Sequence, residues 1–189
     1  MKSKKIKNKA LGTLYIYNGI FVLAAGLLGP LYAIFVQRFV DGIMAVSISW
    51  AAFLVATTIF TYLISRYGDR IREKEHLLLA GYIVRTVAWL LFLLVNNLVL
   101  LILVQVVLGL GESLGTPAFN AIFAEHLDKN KQVKEYSYWT LISTLVTAIG
   151  TIAGGLIITI LGFKALFLTM AFLSLISFFG VLLKPRKLL

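Results

Sequence analysis

The sequence predicts an all-α membrane protein, a bundle of six transmembrane helices that forms a single domain over residues 1–189. Hydrophobic residues make up 60% of the chain and charged residues only 14%, whereas about a quarter of the residues in a soluble domain are charged. Six apolar segments are long enough to cross about 30 Å of hydrocarbon as helices. The basic residues are concentrated in alternate connections between these segments, as in multi-pass membrane proteins.

The first two segments span residues 11–36 and 43–65. We predict helices rather than barrel strands, because these segments do not alternate apolar and polar residues and are about twice as long as a barrel strand. The five lysines before the first segment resemble the start of a signal peptide, but no small-residue cleavage site follows, so we expect this helix to be retained. Gly29 and Pro30 are expected to bend it, because Pro30 cannot donate a backbone hydrogen bond.

The third and fourth segments span residues 77–95 and 98–121 and are separated only by Asn96 and Asn97. So short a connection predicts two antiparallel neighbours. Each of these segments contains one charged residue well inside it, Arg85 in the third and Glu112 in the fourth.

The fifth and sixth segments span residues 138–161 and 165–183, and the three residues from Gly162 to Lys164 join them. This connection also predicts an antiparallel pair. None of the connections is long enough to form a soluble domain, so we interpret the whole chain as one membrane domain.

The distribution of Lys and Arg predicts the orientation. Fifteen of the 18 lie in the two terminal tails, the second-to-third connection and the fourth-to-fifth connection, whereas Arg38 and Lys164 alone lie on the opposite side. The positive-inside rule therefore places both termini in the cytoplasm, with the protein in the plasma or inner membrane. The same distribution accounts for the net charge of +10 without any binding of nucleic acid.

The composition also argues against catalysis. The chain has no cysteine and only two histidines, His76 and His126, so disulfides and cysteine-based metal sites are excluded. We expect no metal ion and no cofactor. The sequence contains no histidine box, serine–base pair or aspartate cluster, and an enzyme is not expected.

The connection between the second and third segments reads Gly68-Asp69-Arg70-Ile71-Arg72-Glu73-Lys74. It resembles the cytoplasmic loop signature Asp-Arg-x-Gly-Arg-Arg of the major facilitator superfamily, with Arg72 in the place of the glycine. The resemblance implies a cytoplasmic gate formed by the basic and acidic residues of this loop and an acidic residue at the end of the fourth helix. A carboxylate there can pair with a basic side chain and stabilise a facing helix N-terminus. The gate candidates are Gly68, Asp69, Arg70, Arg72, Lys74 and Glu125. The alternative is that these basic residues only set the topology.

Two further stretches resemble the same family. The run Gly109-Leu110-Gly111-Glu112-Ser113 resembles its fourth helix, although Gln105 stands where many members have arginine. Gly150-Thr151 and Gly154-Gly155 resemble the fifth-helix signature of antiporters, with Thr151 in the place of a proline. Without that proline we interpret Gly150, Gly154 and Gly155 as small residues that allow close helix packing.

Full members of this superfamily have twelve helices in two six-helix halves, and this chain resembles the N-terminal half. The resemblance implies a secondary-active transporter that works by alternating access on a small organic solute or drug, with protons as a possible coupling ion. Because the facing half is missing, we predict a parallel homodimer in the lipid bilayer. One alternative is that the chain is the N-terminal half of a longer or two-chain transporter. Another is a non-transporting membrane scaffold or sensor.

Polar residues inside the segments are the candidates for a substrate or proton site. A charge at the bilayer centre costs about 2.5–3.5 kcal/mol on insertion scales, so Arg85 and Glu112 stand out. Both lie roughly 12–14 Å from the cytoplasmic ends of adjacent helices, so an ion pair between them is feasible. Asn18 and Gln105 complete the set, and Gln105 shares a helix face with Glu112. The alternatives are a purely structural ion pair and, for Asn18, an ordinary interhelical hydrogen bond.

Overall fold

The computed structural model describes residues 9–40, 42–67 and 73–184, and these residues are helical apart from short connections. Helix α1 (Lys9–Leu28) continues through a 3₁₀ turn (Gly29–Leu31) into α2 (Tyr32–Val36). The next helices are α3 (Ile43–Tyr67), α4 (Lys74–Leu91), α5 (Leu98–Glu125) and α6 (Gln132–Leu182), and a 3₁₀ turn (Phe92–Leu94) follows α4. Within the described ranges, five stretches are long and apolar enough to cross a membrane, and α1 with α2 forms the first of them.

The first membrane stretch is bent where the sequence contains Gly29 and Pro30. The regular α-helix ends at Leu28 and resumes at Tyr32. Between them Gly29 has a φ of +30°, a left-handed value that costs little without a Cβ atom. Pro30 lacks the N–H that would continue the ladder. This bend tilts α2 relative to α1.

Helix α6, residues 132–182, comprises the two expected helices, which meet without a separate three-residue link. At 1.5 Å per residue it would be about 76 Å long if straight, more than twice the thickness of the hydrocarbon. It is not straight, because Gly162 has a φ of +81° and a ψ of +176°. The expected link at 162–164 is therefore reduced to the one residue whose backbone leaves the helical region.

The first part of α6, residues 132–161, runs beside α1 in the same direction. Near its start the Tyr15 hydroxyl donates a hydrogen bond to the carbonyl of Glu135 at 3.2 Å. Further along, the Thr151 hydroxyl lies 3.3 Å from the carbonyl of Gly26. The start of α6 therefore lies beside the start of α1, and the two helices run parallel.

The second part of α6, residues 163–182, runs in the opposite direction. Just after Gly162, the ring of Phe163 lies 5.2 Å from that of Phe35. At the far end, the Lys184 ammonium lies 5.7 Å from the ring of Tyr17. The chain therefore reverses at Gly162, and the two parts of α6 are antiparallel.

Helix α4 lies at the centre of the bundle and packs against α5 and against α6, whereas α3 packs mainly against α5. The core is rich in aromatic side chains, and the largest fully buried ones are Tyr82, Phe92, Phe123 and Phe167. Helix α3 is the most peripheral. Only 17% of its most apolar stretch is buried, against 50% for the first stretch and for α4.

Three helices extend by three residues or more beyond the segments that the sequence predicted. Helix α4 begins at Lys74 rather than Leu77, α5 ends at Glu125 rather than Ala121, and α6 begins at Gln132 rather than Tyr138. The reason is that an apolar segment marks only the part of a helix that lies in hydrocarbon. Polar residues continue the same backbone hydrogen bonds outside the hydrocarbon, where water can solvate their side chains.

Candidate functional site

A cavity of about 430 Å³ lies between α1, α4, α5 and the first part of α6. This volume is within the range of small-molecule sites. Asn18 from α1, Arg85 from α4 and Glu112 from α5 all line it. Three of the four candidates that the sequence singled out as a substrate or proton site thus meet in one place.

Arg85 and Glu112 form an ion pair at the wall of this cavity. The Arg85 Nη2 atom lies 2.7 Å from Glu112 Oε2 and also donates to the Thr116 hydroxyl at 3.0 Å. The Thr116 hydroxyl in turn donates to the second carboxylate oxygen of Glu112. The two side chains differ in exposure: that of Arg85 is 7% exposed and that of Glu112 is 34% exposed. Both side chains line the cavity, and the carboxylate is the more accessible of the two.

Glycines bring α4 and α5 close enough for this pair. A Cβ atom on Gly81 would lie 2.5 Å from the Cα of Gly115, and one on Gly111 would lie 2.6 Å from the Cγ of Arg85. Helices approach this closely only where side chains are absent. The Arg85 guanidinium also lies 4.7 Å from the ring centre of Phe21, a cation–π contact that helps to offset its burial.

Asn18 is held by a second polar contact across the bundle. The Tyr82 hydroxyl donates to Asn18 Oδ1 at 2.8 Å, and both residues are buried. The backbone carbonyl of Tyr82 accepts a hydrogen bond from Ser174 at 3.1 Å. Since these three residues belong to α1, α4 and α6, the contacts connect three helices beside the ion pair.

Gln105 lies apart from the cavity. Its side chain is fully buried, and neither amide atom has a hydrogen-bond partner among the described residues. The Tyr32 hydroxyl, which donates to Ser49 at 2.6 Å, also interacts with the Gln105 amide, but without the geometry of a regular hydrogen bond. Gln105 and Glu112 share a helix face, but the cavity opens only beside the later part of that face.

Sequence reasoning missed several lining residues, although two simple signals were available. Tyr82 precedes Arg85 by three positions, which places both on one face of α4. Trp139, Ser143 and Thr147 are spaced four apart at the start of α6, and all three line the cavity. The later glycines are the more conspicuous pattern in the fifth segment, and they draw attention away from this polar stripe.

A second ion pair lies where α4 begins and α5 ends. The Lys74 ammonium contacts the carboxylate of Glu125, so these two gate candidates are neighbours. Their side chains are 32% and 54% exposed. The other gate candidates, Gly68, Asp69, Arg70 and Arg72, lie outside the described residues.

The three packing candidates among the glycines of α6 fall into two groups. A Cβ atom on Gly150 would lie 2.9 Å from the carbonyl oxygen of Leu23, and one on Gly154 would overlap the carbonyl oxygen of Leu27. Both glycines thus lie against the backbone of α1. Around Gly155, by contrast, nothing among the described residues lies within 4 Å of the Cβ position.

Apolar helices of membrane-spanning length line a cavity that contains a partly buried ion pair, and this combination defines an integral membrane protein with a polar site among its helices. Membrane transporters are a class of protein with such a site. The chain matches the family Major Facilitator Superfamily over residues 14–188 and belongs to it. Members of this superfamily are transporters of small solutes. A search of curated protein sequences found no match to the chain.

Proposed function

We propose that this protein is a secondary-active transporter that moves a small organic solute through the cavity beside Arg85 and Glu112. The proposal rests on one observation, the unequal exposure of the two side chains of the ion pair. Both residues line the cavity, but the Glu112 side chain is 34% exposed and that of Arg85 only 7%, so a proton or a solute can approach the carboxylate without displacing Arg85 from the protein. Protonation of Glu112 would remove one charge from the pair and couple proton binding to helix position.

We propose six membrane crossings for each subunit. Four are the first stretch, α3, α4 and α5. The fifth and sixth are the two antiparallel parts of α6, residues 132–161 and 163–182, each of which is long enough to span the hydrocarbon. With this even number of crossings, both termini lie on the same side, and the bias of Lys and Arg makes that side the cytoplasm.

The cavity is bounded by one subunit on one side only, which supports a homodimer. Thr116, Asn120 and Thr147 line the cavity and are exposed. Polar side chains at this depth face protein or water rather than lipid. A second copy in parallel orientation, related by a two-fold axis along the membrane normal, would cover them and give the twelve helices of a complete transporter.

In this arrangement the Lys74–Glu125 pair lies at the cytoplasmic end of the bundle and belongs to the gate. It connects the start of α4 to the end of α5, and those two helices also contain Arg85 and Glu112. Breaking the pair would let the cytoplasmic ends of the helices separate and open the cavity to the cell interior. Alternating access would consist of this opening and the closure of the opposite end.

The function is tested in two stages. A thermal-shift screen of metabolites and drugs at two pH values identifies a compound that stabilises the protein. Its uptake is then measured in proteoliposomes with an imposed pH gradient.

We expect Glu112→Gln to abolish proton-driven uptake. The matched control is Glu75→Gln, an acidic residue in the first turn of α4 that does not line the cavity, and it should transport normally. Unchanged uptake by Glu112→Gln would remove this carboxylate from the mechanism.

The assembly is tested separately. The chain has no native cysteine, so single cysteines at Lys2 and Lys187 can be labelled with a membrane-impermeant thiol reagent. Both should react only from the cytoplasmic side.

Crosslinking in native membranes should yield a dimer, and a strictly monomeric protein that still transports would refute the homodimer. If the reading frame continues into a second set of six helices, the facing half belongs to the same chain.

A further inference from the structure

A second pocket, of about 350 Å³, lies at the opposite end of the bundle from the Lys74–Glu125 pair. It is formed where α2 ends, where the 3₁₀ turn after α4 ends and where α6 reverses at Gly162. It shares no lining residue with the cavity beside Arg85. The proposed transport path therefore does not account for it.

The floor of this pocket is built from phenylalanine rings. Phe35 lies at its centre, with ring centres 5.6 Å from Phe92, 5.2 Å from Phe163 and 5.0 Å from Phe167. All four side chains are at most 6% exposed. The floor thus offers apolar surface and no side-chain hydrogen-bond donor.

The rim of the pocket is basic. Arg38 and Lys164 are both exposed and both line it. The Arg38 guanidinium lies 5.2 Å from the ring centre of Phe163, which holds the charge above the apolar floor. The lining that the described residues form contains no carboxylate. Two positive charges above an aromatic floor complement a ligand that is anionic at one end and apolar at the other.

The position of the pocket narrows the choice of ligand. It lies at the ends of membrane-spanning helices, where phospholipid headgroups meet the hydrocarbon. A free phosphate ion needs hydrogen-bond donors on several sides, and the phenylalanine floor provides none. Exposed basic side chains at a membrane surface attract anionic headgroups through their charge, on either side of the bilayer. We propose that this pocket binds an anionic phospholipid, with the headgroup phosphate between Arg38 and Lys164 and the start of an acyl chain on the phenylalanine floor.

The test uses the full chain in neutral detergent. Phosphatidylglycerol, phosphatidylcholine and inorganic phosphate are titrated separately, with melting temperature and retained lipid in native mass spectrometry as the readouts. We expect phosphatidylglycerol to raise the melting temperature at lower concentration than the other two. Equal effects of the two lipids would overturn the proposal. Inorganic phosphate that protects as well as phosphatidylglycerol would also overturn it, because the site would then take a free anion.

Substitutions of the two rim residues test whether they bind the phosphatidylglycerol headgroup. A basic side chain that lies beside a bound anionic headgroup contributes about a fivefold change in affinity. Lys164→Gln should therefore weaken phosphatidylglycerol binding by about fivefold, and Arg38→Gln with Lys164→Gln by about 25-fold. The matched control is Arg66→Gln, because Arg66 lies over the ring of Tyr62 at the same 5.2 Å but lines neither pocket. If Arg66→Gln weakens binding as much as Lys164→Gln does, or if Lys164→Gln has no effect, the proposal is wrong. This test requires no transport activity, so its result is independent of the proposed function.

Discussion

Gly154 of α6 lies directly against the backbone of Leu27 in α1, so closely that a methyl group on Gly154 would overlap the Leu27 carbonyl oxygen. The obstacle is backbone and cannot rotate away. Gly154→Ala should therefore force the two helices apart and destabilise the protein by about 1–3 kcal/mol. The measurement is thermal or denaturant unfolding in detergent.

The adjacent glycine provides the control for this prediction. Gly155 has open space around its Cβ position among the described residues, and alanine is the better helix former. Gly155→Ala should leave the melting temperature unchanged or raise it slightly. If the two substitutions have the same effect, close contact between α6 and α1 is not what Gly154 provides.

The ion pair in the cavity predicts two unequal single substitutions. Glu112→Met leaves Arg85 buried without its counter-ion, and removing one partner of a buried pair costs about 3–5 kcal/mol. Arg85→Met should cost less, because the Glu112 side chain is 34% exposed and can be hydrated or protonated. The double variant should recover part of the loss, which a double-mutant cycle on unfolding free energies measures. A larger loss for Arg85→Met than for Glu112→Met would contradict the arrangement.

Gln105 predicts an unusual gain in stability. Its amide is fully buried without a hydrogen-bond partner among the described residues, and an unsatisfied buried group costs about 1–3 kcal/mol. Gln105→Met keeps the length of the side chain and removes the amide, so the melting temperature should rise. Asn18→Leu is the contrasting variant, because it removes the acceptor of the Tyr82 hydroxyl and should lower the melting temperature. A decrease for Gln105→Met would mean that the amide has a partner, such as a buried water.

The Lys74–Glu125 pair should affect transport more than stability. Its partners are substantially exposed, and such pairs contribute about 0–1 kcal/mol. Glu125→Gln should therefore change unfolding only slightly but should alter uptake, and exchanging the two charges should restore uptake. The control is Asp128→Asn, which breaks the pair of Lys131 with Asp128 at 2.7 Å. That pair joins residues three apart and connects no two helices, so uptake should stay normal.

The fold was largely predictable because lipid leaves few choices to the backbone. The apolar run from Leu11 to Val36 became the first membrane stretch with the same ends, and the bend lies where Gly29 and Pro30 predicted it. The link between the fifth and sixth segments was expected at residues 162–164, and the backbone leaves the helical region only at Gly162. Hydropathy locates Gly162, Phe163 and Lys164 between two apolar runs, but it does not reveal that one residue with a positive φ suffices to reverse the chain.

The candidate site was predictable only in part. Arg85 and Glu112 were evident because charge inside an apolar run is costly, and their depths on adjacent helices matched. Gln105 shows the limit of such reasoning. Its helical phase is that of Glu112, yet it interacts with Tyr32 and does not line the cavity. Which part of a helix face meets open space depends on the bend of α1 and on the other helices, and helical phase contains no information about either.

The reversal at Gly162 also bears on how the chain enters the membrane during synthesis. Two apolar stretches separated by one residue cannot be inserted as independent units, because the first has no length of polar chain to expose on the far side before the second begins. They should enter together as a helical hairpin whose leading edge carries a single charged side chain, Lys164. Fragments that end at residue 161 should then integrate less completely in a translocation assay than fragments that end at residue 184.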